Sequence, residues 1–460
     1  MEKILKQNET ISAVATAAGA AGIGVIRLSG ATAIDVADKI FCAANHKKLR
    51  DVDAGRIVFG HVRNFDGEIV DEVIVLVMRA PKSYTKEDVV EIQCHGGSEV
   101  LREILNLTFQ AGARPAERGE FTKRAFLNGR IDLSQAQAVL DVIQAKTSAA
   151  LNIAQNRLSG KTSKKIRAIR QNILNVLAHI DALIDFPEDD IDDVVLNEMD
   201  EKISAQIDEL EKFLKNRRQG KILREGLSTA IIGKPNVGKS SLLNFLTDSD
   251  RAIVTEIPGT TRDSIEEFIN VGGVPLKIID TAGIRNSGDV VEQIGIDRAR
   301  DVAANAELVL ALFDGSRPLT DEDAEIFKLL KPAASIILLT KSDLNQVVTA
   351  AQIEHFSAEK VIHISTKNSA GIDELLAEIK NKVGVIDAES NFVRDEREAD
   401  ILRRAVDNLK SARETIKSDV GIDFVSIDLR AALELFGEIT GETVTDDVIN
   451  EIFSKFCIGK

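Results

Sequence analysis

Residues Gly233 to Ser240 read G-K-P-N-V-G-K-S, a G-x-x-x-x-G-K-[ST] pattern that few folds can accommodate. The preceding run, Thr229-Ala230-Ile231-Ile232, has the composition of a short buried strand. The following run, Ser241 to Leu246, reads as the opening of a helix. A strand, a glycine-bounded loop and a helix in this order make a phosphate cradle. The glycines let backbone N–H groups turn inward, and the helix N-terminus adds positive potential. Lys239 then reaches the β- and γ-phosphates and the Ser240 hydroxyl holds Mg2+. The predicted phosphate-binding segment is therefore Asn236, Val237, Gly238, Lys239, Ser240 and Ser241.

Three later segments identify the nucleotide. Leu276 to Ile279 is a strand pattern ending in Asp280-Thr281-Ala282-Gly283, where phosphate-loop enzymes place a carboxylate on the Mg2+ side and a γ-phosphate-sensing glycine. Ile336 to Leu339 runs into Thr340-Lys341-Ser342-Asp343, and Val361 to Ile364 into Ser365-Thr366-Lys367. These two resemble the guanine-recognition elements of small GTPases, with Lys341, Asp343 and Ser365 as binding residues. A carboxylate at Asp343 accepts from guanine N1–H and N2–H, which adenine does not offer. Any one tetrapeptide is an ordinary strand-to-loop turn; four in this order, each closing a strand, are a pattern. The guanine motif usually begins with Asn, and here Thr340 keeps a hydroxyl but loses the two-ended amide. GTP remains the expected nucleotide, with affinity and selectivity the properties at stake.

The chemistry of hydrolysis is written differently. Ile284 follows the Asp280–Gly283 segment where Ras-like enzymes carry a water-orienting Gln, and isoleucine cannot polarise water. Arg285 and Glu292 lie just downstream with suitable chemistry. The run from Arg251 to Asp263 is the expected switch, and within it Thr255, Glu256, Ile257, Pro258, Gly259, Thr260 and Thr261 are expected at the nucleotide. Its threonine oxygens, with Asn236, form a neutral donor set. Such a set suits a monovalent cation that supplies the charge an arginine finger supplies elsewhere.

At 460 residues the prior is about three domains. An apolar fraction of 44% and a charged fraction of 28% suit a globular chain with ample core. The opening residues carry no apolar signal region and no apolar run is long enough to span a bilayer, so a cytoplasmic setting is expected. Three widely spaced cysteines, Cys42, Cys94 and Cys457, argue for a reduced compartment without disulfides. His95, in Gln-Cys-His-Gly-Gly, reads as a turn or core residue rather than a ligand. The net charge of −15 does not suggest a stand-alone nucleic-acid binder. Lys161, Lys164, Lys165, Arg167 and Arg170 cluster on a helical stretch, read first as a solvated face and second as an RNA contact. The acidic run 188–193 reads as a helix boundary and exposed loop; it lacks the glycine of a calcium loop.

Residues 1–118 read as mixed α/β, with strands at Val73–Met78 and Val89–Gln93 and a helix from Ser98 to Gln110. Helical spacing dominates 119–218, where Ile166, Ile169, Ile173, Leu177, Ile180 and Leu183 form a stripe, and 384–460, where Ile401, Ala405, Leu409, Ala412 and Ile416 form another. Residues 219–383 alternate strand and helix, the sign of a parallel sheet wound with helices on both faces. The economical architecture is an α/β domain followed by a helical domain into which the nucleotide domain is inserted.

The whole chain resembles the tRNA-modifying GTPases of the MnmE (TrmE) family. The marks are Gly24–Gly30 (GVIRLSG), Ser83–Asp88 (SYTKED), His95-Gly96-Gly97, Phe121–Gly129 (FTKRAFLNG), Gly259–Asp263 (GTTRD) and Phe456-Cys457-Ile458-Gly459-Lys460. The resemblance implies a folate-binding, dimerising N-terminal α/β domain, a helical domain and an inserted Ras-like domain. It implies a homodimer that works with the FAD-dependent partner MnmG (GidA) in a heterotetramer. That assembly installs aminomethyl or carboxymethylaminomethyl groups on carbon 5 of the wobble uridine of certain tRNAs. The carbon unit comes from a tetrahydrofolate (5,10-methylene or 5-formyl), and K+-dependent pairing of the nucleotide domains drives GTP hydrolysis. By position it implies Asn236, Thr255, Ile257 and Thr260 as K+ ligands, Ser240 and Thr261 as Mg2+ ligands, and Glu292 orienting the hydrolytic water. It further implies Arg27, Glu91, Arg130 and Lys460 at the folate and Cys457 in tRNA modification. From the residues alone Cys457 reads as a buried cysteine. The chain departs from the family at Ala17–Gly22, which reads A-A-G-A-A-G, at Arg118-Gly119-Glu120-Phe121, and at Arg130 in place of lysine. A GTP-switched RNA-binding factor for ribosome assembly is the alternative; it usually carries an RNA-binding appendage or a second nucleotide domain, and neither is evident. A membrane iron-transport GTPase would need spanning helices.

Overall fold

The computed structural model describes residues 9–185, 193–248, 267–279, 294–330, 335–354, 360–384, 393–418 and 422–460. The chain divides into two compact units. One gathers residues up to Leu140, Arg157–Leu177 and Leu429–Lys460; the other gathers Asp141–Asn156 and Ala178–Asp428.

The first unit is built on a seven-stranded sheet: β1 Ile11–Val14, β2 Ala21–Ser29, β3 Phe41–Ala43, β4 Ile57–Arg63, β5 Ile69–Met78, β6 Val89–Gly96 and β7 Arg114–Pro115. Their order is β3-β4-β5-β6-β2-β1-β7. All pairings are antiparallel except β1 with β7. Strand alternation sends Val73, Val75 and Val77 of β5 to one face. There the helices Ala33–Ile40 and Ser98–Gln110 cover them with Ile34, Ile40, Leu101, Ile104 and Leu107. On the opposite face Ile23, Ile57, Phe59 and Ile74 are exposed, while Arg27 and Glu91 are mostly covered. The same alternation corrects the expectation for His95. Because β6 continues to Gly96, Cys94 points into the core and His95 points out, its side chain 71% exposed. His95 Nδ1 lies 2.7 Å from Asp71 Oδ1, and that hydrogen bond holds the imidazole above its ordinary range.

A second core in this unit joins the helix Leu133–Gln144 to the helix Asp446–Ser454 through Leu133, Leu140, Ile449, Ile452, Phe453 and Phe456. The basic residues near the start of helix Lys161–Asp185 are partly neutralised: Arg167 pairs with Asp132 at 3.0 Å and faces Glu442, as does Arg170. The solvated-face reading therefore fits better than the RNA contact.

The second unit holds a six-stranded sheet: β8 Leu227–Gly233, β9 Glu267–Val271, β10 Val274–Ile278, β11 Leu308–Asp314, β12 Ser335–Thr340 and β13 Val361–His363, in the order β13-β12-β11-β8-β10-β9. All neighbours are parallel except β9 with β10. The central strands are buried on both faces, as a wound sheet requires: every residue of β12 is buried, and all of β11 but Asp314. Separate apolar clusters cover the two faces, one around Leu310, Leu338 and Leu375, the other around Val309, Ile337 and Phe327. Beside the sheet, the helices Asp193–Lys215 and Glu396–Ile416 pack together, pinned by Arg413 on Asp200 at 2.6 Å. Among the described residues no helix is long and apolar enough to cross a membrane.

Candidate functional site

The phosphate loop connects β8 to the helix Lys239–Asp248. Its backbone is shaped for inward-facing N–H groups: Asn236 has φ 62° and Gly238 φ 103°. Asn is among the few residues that adopt the left-handed region at small cost. At Gly238 no atom lies within 4 Å of where a Cβ would stand, so the loop leaves open the volume that a side chain would fill. A phosphate with its Mg2+ fits that cradle. Ser240 would hold the metal from the first turn of the helix, and the metal would neutralise charge building on the phosphate oxygens. Lys239 Nζ donates to the carbonyls of Gly233 (2.7 Å) and Lys234 (2.8 Å), which arches the side chain over its own loop. Burial lowers its pKa from the ordinary lysine value. Val237 anchors the loop in the core beneath.

The parallel order β13-β12-β11-β8 brings the base-recognition segments to the same edge as this loop. Ser365 Oγ donates to Asp343 Oδ1 at 2.8 Å, so the two predicted guanine-contacting residues meet. Ser342 N donates to Ile364 O, fixing the two loops in register. Lys341 adopts φ 59° and its Nζ donates to Asp314 Oδ2 at 2.6 Å, a pairing that no local pattern announces. Asp314 lies below the usual carboxylate range: burial pushes it up, and bonds from Lys341 and Ser316 more than offset that. The edge thus carries the phosphate-loop N–H groups at one end and the Asp343 carboxylate at the other.

A second cluster lies in the other unit. Arg27 and Glu91 are register partners on β2 and β6, and Arg27 Nε donates to Glu91 Oε1 at 2.8 Å. The Arg27 guanidinium stands 5.7 Å from the Phe121 ring centre and 6.0 Å from that of Tyr84. Arg130 covers Tyr84 at 4.7 Å and donates to its carbonyl at 3.0 Å. Tyr84 Oη and Thr122 Oγ1 share a hydrogen bond at 2.9 Å; burial raises the phenol pKa above its ordinary value. The segment 457–460 closes over the cluster. Gly119 N donates to Cys457 O, Phe121 N to Lys460 O, and Arg27 Nη1 to Gly459 O at 3.4 Å. Gly459 has φ 92°, and a Cβ there would meet Val14 O at 2.2 Å, so only glycine passes. Beneath, Arg124 Nη1 donates to Glu87, while Glu120 accepts from both Arg124 and Arg114. Two guanidinium groups, one carboxylate and an aromatic ring form a surface suited to a flat anionic ligand with a hydrogen-bonding edge.

Comparison with known proteins identifies the family. A family model described as the MnmE helical domain matches residues 133–457, and one described as the GTP-binding protein TrmE N-terminus matches residues 10–130. The tRNA modification GTPase MnmE of Alkaliphilus oremlandii is 45% identical over 98% of this chain and 99% of its own. The proteins of the same name from Geobacillus kaustophilus and Clostridioides difficile are 46% and 45% identical over the same shares. This chain belongs to the MnmE family of tRNA modification GTPases. The expected fold is present: an N-terminal α/β domain, a helical domain and an inserted phosphate-loop GTPase domain.

Of the residues expected at the nucleotide in an MnmE chain, the structure places Asn236 to Ser241, Lys341, Asp343 and Ser365 along one sheet edge. Thr255 to Thr261, Asp280 to Gly283, Ile284, Arg285 and Glu292 lie outside the described residues, as does most of the acidic run 188–193. Arg27, Glu91, Arg130 and the segment of Lys460 come together as one cluster. Cys457 is exposed, not buried as its composition suggested, because the segment is held through backbone groups and its side chain is left outside. Tyr84 is a site residue that sequence reasoning missed. It is the only tyrosine in the chain, and a lone aromatic with a polar handle was the available signal.

Proposed function

We propose that this chain is a K+-activated GTPase. With an FAD-containing partner, it adds an aminomethyl or carboxymethylaminomethyl group to carbon 5 of the wobble uridine of certain tRNAs, using a tetrahydrofolate carbon unit. The observation that carries the proposal is the pairing of two chemically distinct sites in one chain. One is a phosphate loop aligned with a guanine acceptor; the other is an Arg27–Glu91–Arg130–Tyr84 surface closed by the 457–460 segment. A folate suits the second. Its flat ring stacks on aromatic and guanidinium faces, Glu91 accepts from ring N–H groups, and Arg130 and Lys460 answer its carboxylates. The exposed Cys457 thiol beside that surface agrees with a role in the modification step.

In hydrolysis Lys239 holds the β- and γ-phosphates and Glu292 orients water, the work that Ile284 cannot do. Ser240 and Thr261 would hold Mg2+, and Asn236, Thr255, Ile257 and Thr260 would hold K+; bound there, the ions would supply positive charge toward the GDP leaving group. Residues 1–118 form the folate domain, 119–218 and 384–460 the helical domain, and 219–383 the GTPase domain. The open sheet face bearing Ile57, Phe59 and Ile74 supports a homodimer through the N-terminal domain, since an apolar patch on a sheet is best covered by a second copy.

The deciding test is steady-state GTP turnover in K+ and in Na+ at matched ionic strength. K+ should accelerate turnover strongly; equal slow rates would remove the cation reading. Nucleoside mass spectrometry of tRNA from cells lacking the protein should show wobble uridines without the modification.

A further inference from the structure

Thr340 occupies the position where guanine-recognition motifs usually carry an amide, and it is 5% exposed. Its Oγ1 lies 2.8 Å from the carbonyl of Val237 and 3.1 Å from that of Phe313. Val237 belongs to the phosphate loop, 103 residues away in sequence; Phe313 belongs to β11, the strand lying between β12 and β8. One hydroxyl has one proton and two acceptors in reach, and the shorter contact runs to the phosphate loop. Thr340 O also accepts from Gly315 N, so its backbone is tied to the turn after β11 while its side chain reaches the phosphate loop.

The residues that follow are clamped as well. Gln346 Nε2 donates to Lys341 O (2.8 Å) and to Leu344 O (3.2 Å), bracketing Asp343 from both sides. Ser365 holds the Asp343 carboxylate itself. Of these ties, the Thr340 hydroxyl alone joins the base-recognition loop to the phosphate loop through a side chain.

We propose that the Thr340 hydroxyl is a positioning group that sets the spacing between the phosphate loop and Asp343. It thereby keeps guanine recognition intact in a chain that lacks the amide. This rests on the reading of the site as a GTP site and deepens it. Thr340 does not touch the base in this account; it acts through Val237 on one side and Asp343 on the other.

Isosteric replacement separates the hydroxyl from the packing. Thr340→Val keeps the shape and leaves the Val237 carbonyl buried without its donor. Thr340→Ser keeps the donor and loses a methyl group. The measurement is displacement of a fluorescent GDP analogue by unlabelled GDP and by IDP, which lacks the exocyclic amino group that Asp343 reads. In the unsubstituted chain GDP should displace better than IDP. Thr340→Val should weaken GDP about 10-fold and bring GDP and IDP closer together, while Thr340→Ser stays within about 3-fold of the original on both counts, on the scale of a lost buried hydrogen bond. If Thr340→Val retains both the affinity and the preference, the hydroxyl does no positioning. If Thr340→Ser falls as far as Thr340→Val, packing and not the hydroxyl is responsible, and the proposal is equally overturned. Should the valine chain not fold, Thr340→Cys, similar in volume with a weak donor, carries the same comparison. Failure of the unsubstituted chain to bind the GDP analogue would instead overturn the reading of the site itself.

Discussion

The nucleotide site and the Arg27 site solve recognition in opposite ways. The first is made of short loops at one edge of a mostly parallel sheet, each following its own strand, and under the proposed function would read its ligand largely with backbone groups and one carboxylate. The second is made of side chains on elements far apart in sequence: β2, β6, the Tyr84 loop, the helix Glu120–Leu127, and a segment 432 residues from Arg27. Loops held by a sheet keep their fold when one side chain is lost, even where ligand affinity falls. A cluster of interlocked side chains does not, because each member is held by the others.

Three substitutions bear on that contrast, beginning with the largest expected effect. Lys239→Ala removes a side chain whose observed bonds are to its own loop, so the fold should survive with little change in melting temperature. GTP turnover should fall by about 100-fold or more. A large loss of stability alongside would show that the nucleotide loops are as interlocked as the other cluster.

Gly459→Ala comes next. A methyl group there cannot share space with Val14 O, so the segment should lift from Arg27. Titration with 5-formyl-tetrahydrofolate should show about a 10-fold weaker affinity while GTP affinity is unchanged, the scale of one lost charge-assisted contact. Unchanged folate affinity would detach the segment from that site.

The smallest effect is expected at Glu120. Its carboxyl is buried, which by itself raises the pKa. Bonds from Arg114 and from the Glu117 amide, with the charge of Arg124, more than reverse this and leave it low. A group with a lowered folded pKa contributes stability above its unfolded value of about 4.3, and that contribution is lost as pH falls through the folded value. Glu120→Gln should therefore cost about 1 kcal/mol at neutral pH, below the usual figure for a broken buried pair because Arg114 is partly exposed. Chemical denaturation at several pH values should show the gap narrowing below about pH 4. A gap independent of pH would mean that shape, not charge, is what Glu120 provides.

The same contrast explains what was legible in the sequence. Residues 233–240 and 340–343 announce themselves because strand, loop and helix are contiguous, and local spacing carries the chemistry. The helix Ser98–Gln110 and the strands β5, β6, β8, β10, β12 and β13 were readable for the same reason, from period and burial. Thr340 was readable as a departure but not as a tie, since nothing local says that Val237 O lies 2.8 Å away. Arg27, Glu91 and Arg130 carried no local signal at all; their meeting depends on the pairing of β2 with β6, and only resemblance to a family pointed to them. His95 was misplaced because Gly96-Gly97 suggested a turn one residue before the strand ends.

The closure of the Arg27 cluster by residues 457–460 also has a consequence for how the protein is made. Arg27 and Glu91 leave the ribosome early, and their pair forms as soon as β2 and β6 are both available. The Gly459 carbonyl is synthesised 432 residues after Arg27, roughly 20–90 s later at ordinary elongation rates. The nucleotide loops, all encoded before residue 368, are by then complete. A nascent chain would thus acquire its GTP-binding edge well before its other site is roofed over. A product cut a few residues short would still carry its nucleotide edge while the Arg27 cluster stays unroofed, so under the proposed folate role it is folate retention, not GTP binding, that would report the loss of residues 457–460.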